Sequence, residues 1–269
     1  MQYDPVKRRL GVVFNRTPFL RKTFYALLDL LLLRAWHVHK ELKRWQRRTG
    51  GGAARVYDAG AGYGQYSYWL SGRNADLSIT ALDVKEEQVA DCNAFFQRIG
   101  RPNVKFRVGD VTTFTEPDAF DLVVCVDVME HILEDEAALR CYAASLKKGG
   151  MLIISTPSDQ GGSDVHDEGE GSFIEEHVRD GYNIEDLKAK CLRNGFSRVD
   201  ARYAYGTPGK ISWRLSMKWP LLMLNASKLF FIVLPAYYLV TYPIAYVLNW
   251  LDVGMKHPSG TGLIVQAWR

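Results

Sequence analysis

Cysteine is scarce, with four in 269 residues, at positions 92, 125, 141 and 191. They are widely spaced and form no Cys-x-x-Cys pair, so a zinc site or a disulfide framework has no basis. Reduced, buried thiols in a cytosolic setting are expected instead. The N-terminus lacks a short apolar core followed by a small-residue cleavage site, so no secretory signal is read there. Acidic residues are nearly missing from both ends. Residues 1–55 hold 13 lysines and arginines against 3 acids, residues 207–269 hold 6 against 1, and residues 56–206 hold 15 against 26. The net charge of +4 thus hides an acidic middle between two basic, apolar-rich ends. Such ends favour an anionic partner, either a membrane surface or nucleic acid.

The middle alternates strand-like apolar runs with helix-like segments, the pattern of an α/β doubly wound, mostly parallel sheet. The strands are read at "ARVYDAG", at Leu77–Val84 ("LSITALDV") and at Asn103–Asp110 ("NVKFRVGD"). Two more follow at Phe120–Val128 ("FDLVVCVDV") and Gly149–Pro157 ("GGMLIISTP"), with helices over Glu86–Arg98 and Glu134–Lys147. Asp83, Asp110 and Asp127 stand at the C-terminal ends of strands two, three and four, the edge where open α/β sheets bind ligands. The first strand runs into "DAGAGYGQ", where Gly60, Gly62 and Gly64 allow a sharp turn and close approach of a ligand to the main chain. A dinucleotide fingerprint needs glycine at position 65, which is Gln. Asp58, two residues before the first glycine, would repel a pyrophosphate and suits an ammonium group.

These stretches resemble the class I S-adenosylmethionine-dependent methyltransferases. The matching segments are "VYDAGAGYGQ", "ALDVKEEQV", "FRVGDVTTF", "FDLVVCVDVMEHI" and "LKKGGMLIISTP". A later one, "EEHVRDGYNIEDLKAKCLRNGF", is similar to the lid-and-helix region of the family's small-molecule branch. The resemblance spans residues 54–206 in the family's order and implies S-adenosyl-L-methionine as cofactor. It further implies that Asp58, Gly60, Ala61, Gly62 and Gly64 shape the methionine pocket and that Asp83 with Val84 holds the ribose. Asp110 with Val111 would hold the adenine, and Cys125 to Asp127 would border the methyl group.

The cofactor's methyl is already activated on a positive sulfur, so the protein must mainly position an acceptor and exclude water. A hydroxyl acceptor also needs a base. The candidates are Asp127, Glu130 and His131 in "VDVMEHI", with His166 and His177 in the following loop. Asp127, Glu130 and His131 would share one face if a helix starts there. No metal is expected: the first position of a metal-dependent E-x-x-E-H pattern is Asp here. Residues 158–173, rich in Gly, Ser and Asp, read as a loop over the site.

The ends carry the remaining signals. "FLRKTFYALLDLLLLRAWHVHKELKRWQRR" reads as an amphipathic helix, with an apolar stripe of Phe24, Leu27, Leu28, Leu31 and Ala35 and a basic one of Lys40, Lys43, Arg44 and Arg47. Leu229–Trp250 is a run of 22 residues without a charge, rich in Tyr and broken by Pro235 and Pro243. It lies between "FSRVDARYAYG", read as strand six, and "GTGLIVQAWR", read as strand seven. In the resembled family these two pair at the sheet's edge, so the run is an insert whose ends return to one side. A single membrane crossing is then excluded, and a proline-broken hairpin dipping into one leaflet is expected. Long aliphatic and aromatic runs beside the basic charge suit lipid, and strand four ends in "CVDV" and lacks the motif that grips a flipped base. Nucleic acid is therefore not expected.

The domains read as 1–53, a basic amphipathic helical extension; 54–206, the cofactor domain; 207–260, the apolar helical insert; and 261–269, the last strand of a seven-stranded sheet. The expected activity is methyl transfer to a lipophilic small molecule (a quinone or phenol precursor, a pigment or a lipid) on the cytoplasmic face of the cell membrane. The alternatives are a methyltransferase of a soluble acceptor whose apolar ends form a homodimer interface, and a non-catalytic cofactor-binding scaffold.

Overall fold

The computed structural model describes residues 17–161 and 178–269. Two helices open the described chain, α1 (Pro18–Leu31) and α2 (Leu33–Arg48). The single helix expected here divides at Leu32, which is extended at φ −91° and ψ 111°. Then come β1 (Ala54–Ala59), α3 (Gln65–Arg73), β2 (Leu77–Asp83), α4 (Glu86–Arg98), β3 (Val104–Val108) and β4 (Phe120–Val126). After a 3-10 turn (Met129–His131) follow α5 (Asp135–Ser145), β5 (Leu146–Pro157), α6 (Ile184–Arg193) and β6 (Arg198–Ala204). The insert holds α7 (Thr207–Trp213), a π segment (Arg214–Lys218), α8 (Trp219–Ala226) and α9 (Phe230–Gly254), and β7 (Gly262–Trp268) closes the chain.

The sheet order is β3-β2-β1-β4-β5-β7-β6, parallel except for β7, which runs antiparallel to both of its neighbours. Alternation along each strand divides the core in two. Val56, Ile79, Leu122, Val124 and Ile153 face α1 to α4, where Tyr25, Val38, Leu42, Leu70 and Phe96 are buried. Tyr57, Val123, Cys125, Leu152 and Val265 face α5 and α6 and bury Leu139, Tyr142 and Leu187. The N-terminal helices are thus part of one layer of the sandwich.

Strand pairing fixes where the insert emerges. Pro157 and Ala204 both pair with Gly262, so β5 and β6 end at one edge and β7 begins there. The insert therefore leaves and rejoins the sheet at the carboxyl edge, beside the ends of β1 to β4. Its two arms lie side by side: Tyr237 Oη donates to Leu215 O at 2.7 Å and Tyr238 Oη to Ser216 O at 2.8 Å. Both acceptors belong to the π segment, whose irregular turn displaces carbonyls from the helical ladder. The prolines do not break α9, contrary to the sequence reading; the break between the arms falls at 227–229. A helical proline frees the carbonyl four residues earlier. Those carbonyls belong to Phe231 and Leu239, both exposed.

The lower half of α9 is knit into the domain. Tyr242 Oη donates to Leu30 O at 2.8 Å, and Tyr246 packs edge-on against Trp36. Asn249 is buried beside Ser212, and Asp252 is buried against His37. The upper half carries Phe231, Ile232, Val233, Leu239 and Val240 into solvent, the last two at 79% and 68% exposure. Among the described residues α9 is the one helix long and apolar enough to cross a membrane. Of the basic stripe, Lys40 donates to Val253 O at the base of α9, and the following turns of α2 run away from it. α2 rises about 24 Å at ~1.5 Å per residue, with Arg34 at the carboxyl edge. Arg48 and Thr49, at its far end, line a cleft with Lys147, Gly149 and Gly150 at the opposite edge.

Candidate functional site

The glycine turn after β1 is built on three positive φ angles, +68° at Gly60, +51° at Gly62 and +78° at Gly64. A Cβ at Gly60 would meet Val128 at 2.4 Å and one at Gly64 would meet Phe106 at 2.6 Å, so both positions are closed by packing. At Gly62 a Cβ would meet nothing within 4 Å. The middle glycine thus faces open space, as a main chain that receives a ligand must. The loop is pinned to β2: Ala61 N donates to Leu82 O at 2.9 Å and Gly62 N to Asp83 Oδ2 at 2.8 Å. Asp83 Oδ1 also accepts from Lys85 N at 3.0 Å, so this carboxylate shapes the turn from both sides.

Asp58 is buried below the loop, and Ser67 donates both its amide (3.2 Å) and its hydroxyl (2.6 Å) to Oδ2. Burial pushes the Asp58 carboxyl up to about 6, against the pull of the Ser67 bonds and with help from nearby Asp83. A buried carboxylate in that condition gains most from a cation brought beside it. Asp110 follows β3, and its Oδ1 accepts from Thr112 N at 2.8 Å and Thr112 Oγ1 at 2.7 Å. Val84 is exposed, and Val111 is buried next to Asp110.

Cys125 does not belong to this set. It is fully buried on the α5–α6 face, its Sγ lies 3.6 Å from Tyr142 Oη, and burial pushes its thiol up to about 12. The alternation of β4 sends its side chain into the core, away from the edge.

Beyond β4 the expected shared face is not formed. The segment makes one 3-10 turn, with Asp127 in the left-handed region at φ +52°. Asp127 and His131 are partly exposed, while Glu130 turns inward and is 1% exposed. Glu130 Oε2 accepts from Thr156 Oγ1 at 3.1 Å, and burial raises its carboxyl above the usual range against the pull of its own amide and of His131. His166 and His177 lie outside the described residues. Among the described residues no group of three or more His, Cys, Asp or Glu could hold a metal ion.

One site residue was missed by sequence reasoning. Arg34, from the first turn of α2, reaches the edge and ion-pairs with Asp127, and its backbone amide donates to Tyr205 Oη at 2.9 Å. Its Nε is buried beside the buried hydroxyl of Tyr66, with which Arg34 interacts. Burial pushes that phenol up to about 12 although the Arg34 charge pulls it down. The signal was absent from the local sequence because Arg34 and Asp127 are 93 residues apart.

Residues 56–150 match the family described as "Methyltransferase domain". Residues 56–150 carry a methyltransferase domain. Over 149 residues it is 30% identical to a phosphoethanolamine N-methyltransferase of Triticum aestivum, covering 55% of this chain and 28% of that protein. Over 105 residues it is 34% identical to a ubiquinone biosynthesis O-methyltransferase of Xanthomonas euvesicatoria pv. vesicatoria, covering 38% of this chain and 43% of that protein. The matches thus span less than half the length of these curated relatives. In structure, the domain is similar to a Haemonchus contortus phosphoethanolamine N-methyltransferase 2 solved with phosphomonomethylethanolamine and S-adenosylhomocysteine. That likeness, of fold alone, has a TM-score of 0.58 at 17% identity and covers 81% of this chain and 49% of the other. The [4+2]-cyclase SpnF matches as well, with a TM-score of 0.57 at 19% identity over 81% of this chain and 76% of its own. Fold by itself therefore does not set the reaction.

The cofactor of the methyltransferase domain is S-adenosylmethionine, and the site's chemistry fits it. Buried Asp58 answers an ammonium, and the open Gly62 leaves room beside the main chain. Arg34 brings a positive charge that suits a carboxylate. Asp83 is an acceptor for hydroxyls, and exposed Val84 with Asp110 suits an aromatic base with a polar edge.

Proposed function

We propose that the protein methylates a lipophilic small-molecule acceptor (a quinone or phenol precursor, a pigment or another lipid) at the cytoplasmic surface of a membrane. The observation that carries this reading is the exposed upper half of α9, which rises from the same sheet edge as the glycine turn. An apolar surface of this extent on a soluble chain calls for a partner. A bilayer suits it because exposed Trp250 accompanies the aliphatic residues and Lys228 stands at the hairpin's turn. The far end of α2 plays no part in this docking, since it lies at the other edge of the sheet. With the hairpin embedded, the site's mouth faces the lipid, and an acceptor reaches it without passing through water.

Within the site, Arg34 and Asp58 hold the two charged ends of the cofactor's amino-acid group, and Asp83 holds the ribose. When bound, S-adenosylmethionine supplies a methyl group on a positive sulfur that departs as a neutral thioether. His131, at the mouth, takes the proton of a hydroxyl acceptor; Asp127 is less available because Arg34 engages it.

The test is co-sedimentation with vesicles of phosphatidylcholine and phosphatidylglycerol, comparing the natural chain with Ile232→Asp/Leu239→Asp. Both positions are 79% exposed, so the change leaves the fold intact. The natural chain is expected to pellet and the variant to stay in solution, with equal S-adenosylmethionine affinity by calorimetry. A natural chain that remains soluble as a stable dimer, with the variant monomeric, would replace the membrane by a second copy.

A further inference from the structure

The carbonyls of the glycine turn have partners that the cofactor chemistry does not explain. Its amides are held by the sheet and by the turn itself, as Gly64 N donates to Ala61 O at 2.8 Å and Gly62 N to Asp83. Its carbonyls are held from the opposite side, by α1 and α4. Tyr63 O accepts from Arg21 Nη2 at 3.0 Å and from Tyr25 Oη at 2.5 Å, and Gly62 O accepts from Cys92 Sγ at 3.5 Å. Arg21 ties these donors together. Its Nε donates to Tyr25 Oη at 2.7 Å, its Nη2 also reaches Cys92 Sγ at 2.9 Å, and its Nη1 pairs with Asp91 at 2.5 Å.

Arg21 is 2% exposed and stacks over the Phe95 ring at 4.5 Å. A buried guanidinium is costly unless its donors are used, and here every nitrogen has a partner. Packing α1 on α3 and α4 would need none of this, because Tyr25 already buries its ring against Tyr68 and Phe95. A run of alternating glycines loses more conformational freedom on ordering than any other sequence. A turn that must meet a ligand with its main chain binds more weakly if ordering is left to the ligand.

We propose that Arg21 and Tyr25 are positioning residues for cofactor binding: through the Tyr63 carbonyl, α1 holds the glycine turn in its ligand-receiving shape before the ligand arrives. The N-terminal segment is then a working part of the site although its clamp touches no ligand. The inference rests on the cofactor assignment and is independent of the acceptor and of the membrane.

The test compares the natural full-length chain with Tyr25→Phe, which keeps the ring and removes the hydroxyl that donates to Tyr63 O and accepts from Arg21 Nε, and with Arg21→Gln and Arg21→Lys. S-adenosylhomocysteine affinity is read by calorimetry, and amide hydrogen exchange of Gly62 to Gly64 is read in the ligand-free protein. Loss of the bond to Tyr63 O should weaken binding about 2- to 12-fold in Tyr25→Phe, beyond any stability lost with the Arg21 Nε bond. The turn amides should exchange faster in proportion while the amides of β4 and β5 keep their protection. Arg21→Gln should lose more, and Arg21→Lys should recover part of the loss. Unchanged affinity and unchanged turn exchange in folded Tyr25→Phe would overturn the clamp, whatever Arg21→Gln does to folding. A natural chain that binds no S-adenosylhomocysteine but shows faster turn exchange on Tyr25→Phe would sink the cofactor assignment and leave the clamp standing.

Discussion

The glycine-turn edge and the base of the insert each bury an aspartate, and they treat it in opposite ways. Asp252 is fully buried yet lies among donors, His37 Nε2 at 2.8 Å and the amides of Gly209 at 2.9 Å and Tyr205 at 3.1 Å, while His257 Nε2 bonds the Asp252 carbonyl at 2.9 Å and lies 3.3 Å from the carboxylate. Burial alone would raise its carboxyl, but His37, His257 and the Gly209 amide outweigh that and hold it below the usual range. Asp58 is also deeply buried, with donors from Ser67 alone, and its carboxyl goes up to about 6. A saturated buried charge holds structure together, whereas an undersupplied one leaves something for a ligand to complete.

The largest effect expected from breaking this contrast is on Asp252. Asp252→Ala strands His37 Nε2 and two amides in the core and should cost roughly 3–5 kcal/mol, read by urea unfolding. Asp58→Ala should behave in the reverse manner. Stability should hold or rise slightly, while S-adenosylmethionine affinity falls by the value of a charged hydrogen bond, about 1.5–3 kcal/mol, read by calorimetry. Normal affinity in that variant would remove Asp58 from the pocket.

The pH dependence sharpens the same contrast. Asp58 has a folded value near 6 against an ordinary 3.8, so the folded state binds its proton more tightly. Its contribution should therefore stabilise the ligand-free protein as pH falls from 6 towards 3.8, by up to about 1.4 kcal/mol per pH unit. Asp252 works with the opposite sign: its folded value is depressed, so its stabilisation is present above 3.8 and is lost as pH falls through that region. Urea titrations of the natural chain and of Asp58→Asn, taken across this range, should differ by the Asp58 slope alone. Cofactor affinity should drop over the same interval, because protonated Asp58 no longer attracts an ammonium.

Smaller effects are expected along the insert. Tyr238→Phe removes the hydroxyl that satisfies Ser216 O in the π segment and should cost about 1 kcal/mol. Ile232→Ser, at the exposed end of α9, should change stability by less than about 0.5 kcal/mol. A larger loss there, in a melting experiment, would mean that the upper half of α9 is supported by its own chain.

Much of the fold was legible because alternation of apolar residues and turn glycines are local signals. All seven strands and the insert before the last one follow from them together with the family resemblance. The glycine turn and its flanking acids were legible for the same reason. Cys125 was misplaced by reading a motif as a block: alternation along β4 puts it on the core face with Val123. The shared face of Asp127, Glu130 and His131 failed because the chain makes a 3-10 turn there and never starts a helix. The prolines of α9 were read as breaks, although they free carbonyls only of Phe231 and Leu239, which are exposed.

The sequence alone determined the sheet, the glycine turn, the acids at the strand ends and the uncharged run, since each is written in neighbouring residues. Tertiary structure decided what no neighbour encodes. It brought Arg34 to Asp127 and Arg21 to the Tyr63 carbonyl, buried Asp252 among its donors, and sent the basic end of α2 to the edge opposite the insert. The physical reason is that charge, burial and hydrogen-bond supply at a site are sums over residues distant in the chain. Only the folded sheet sets the terms of those sums.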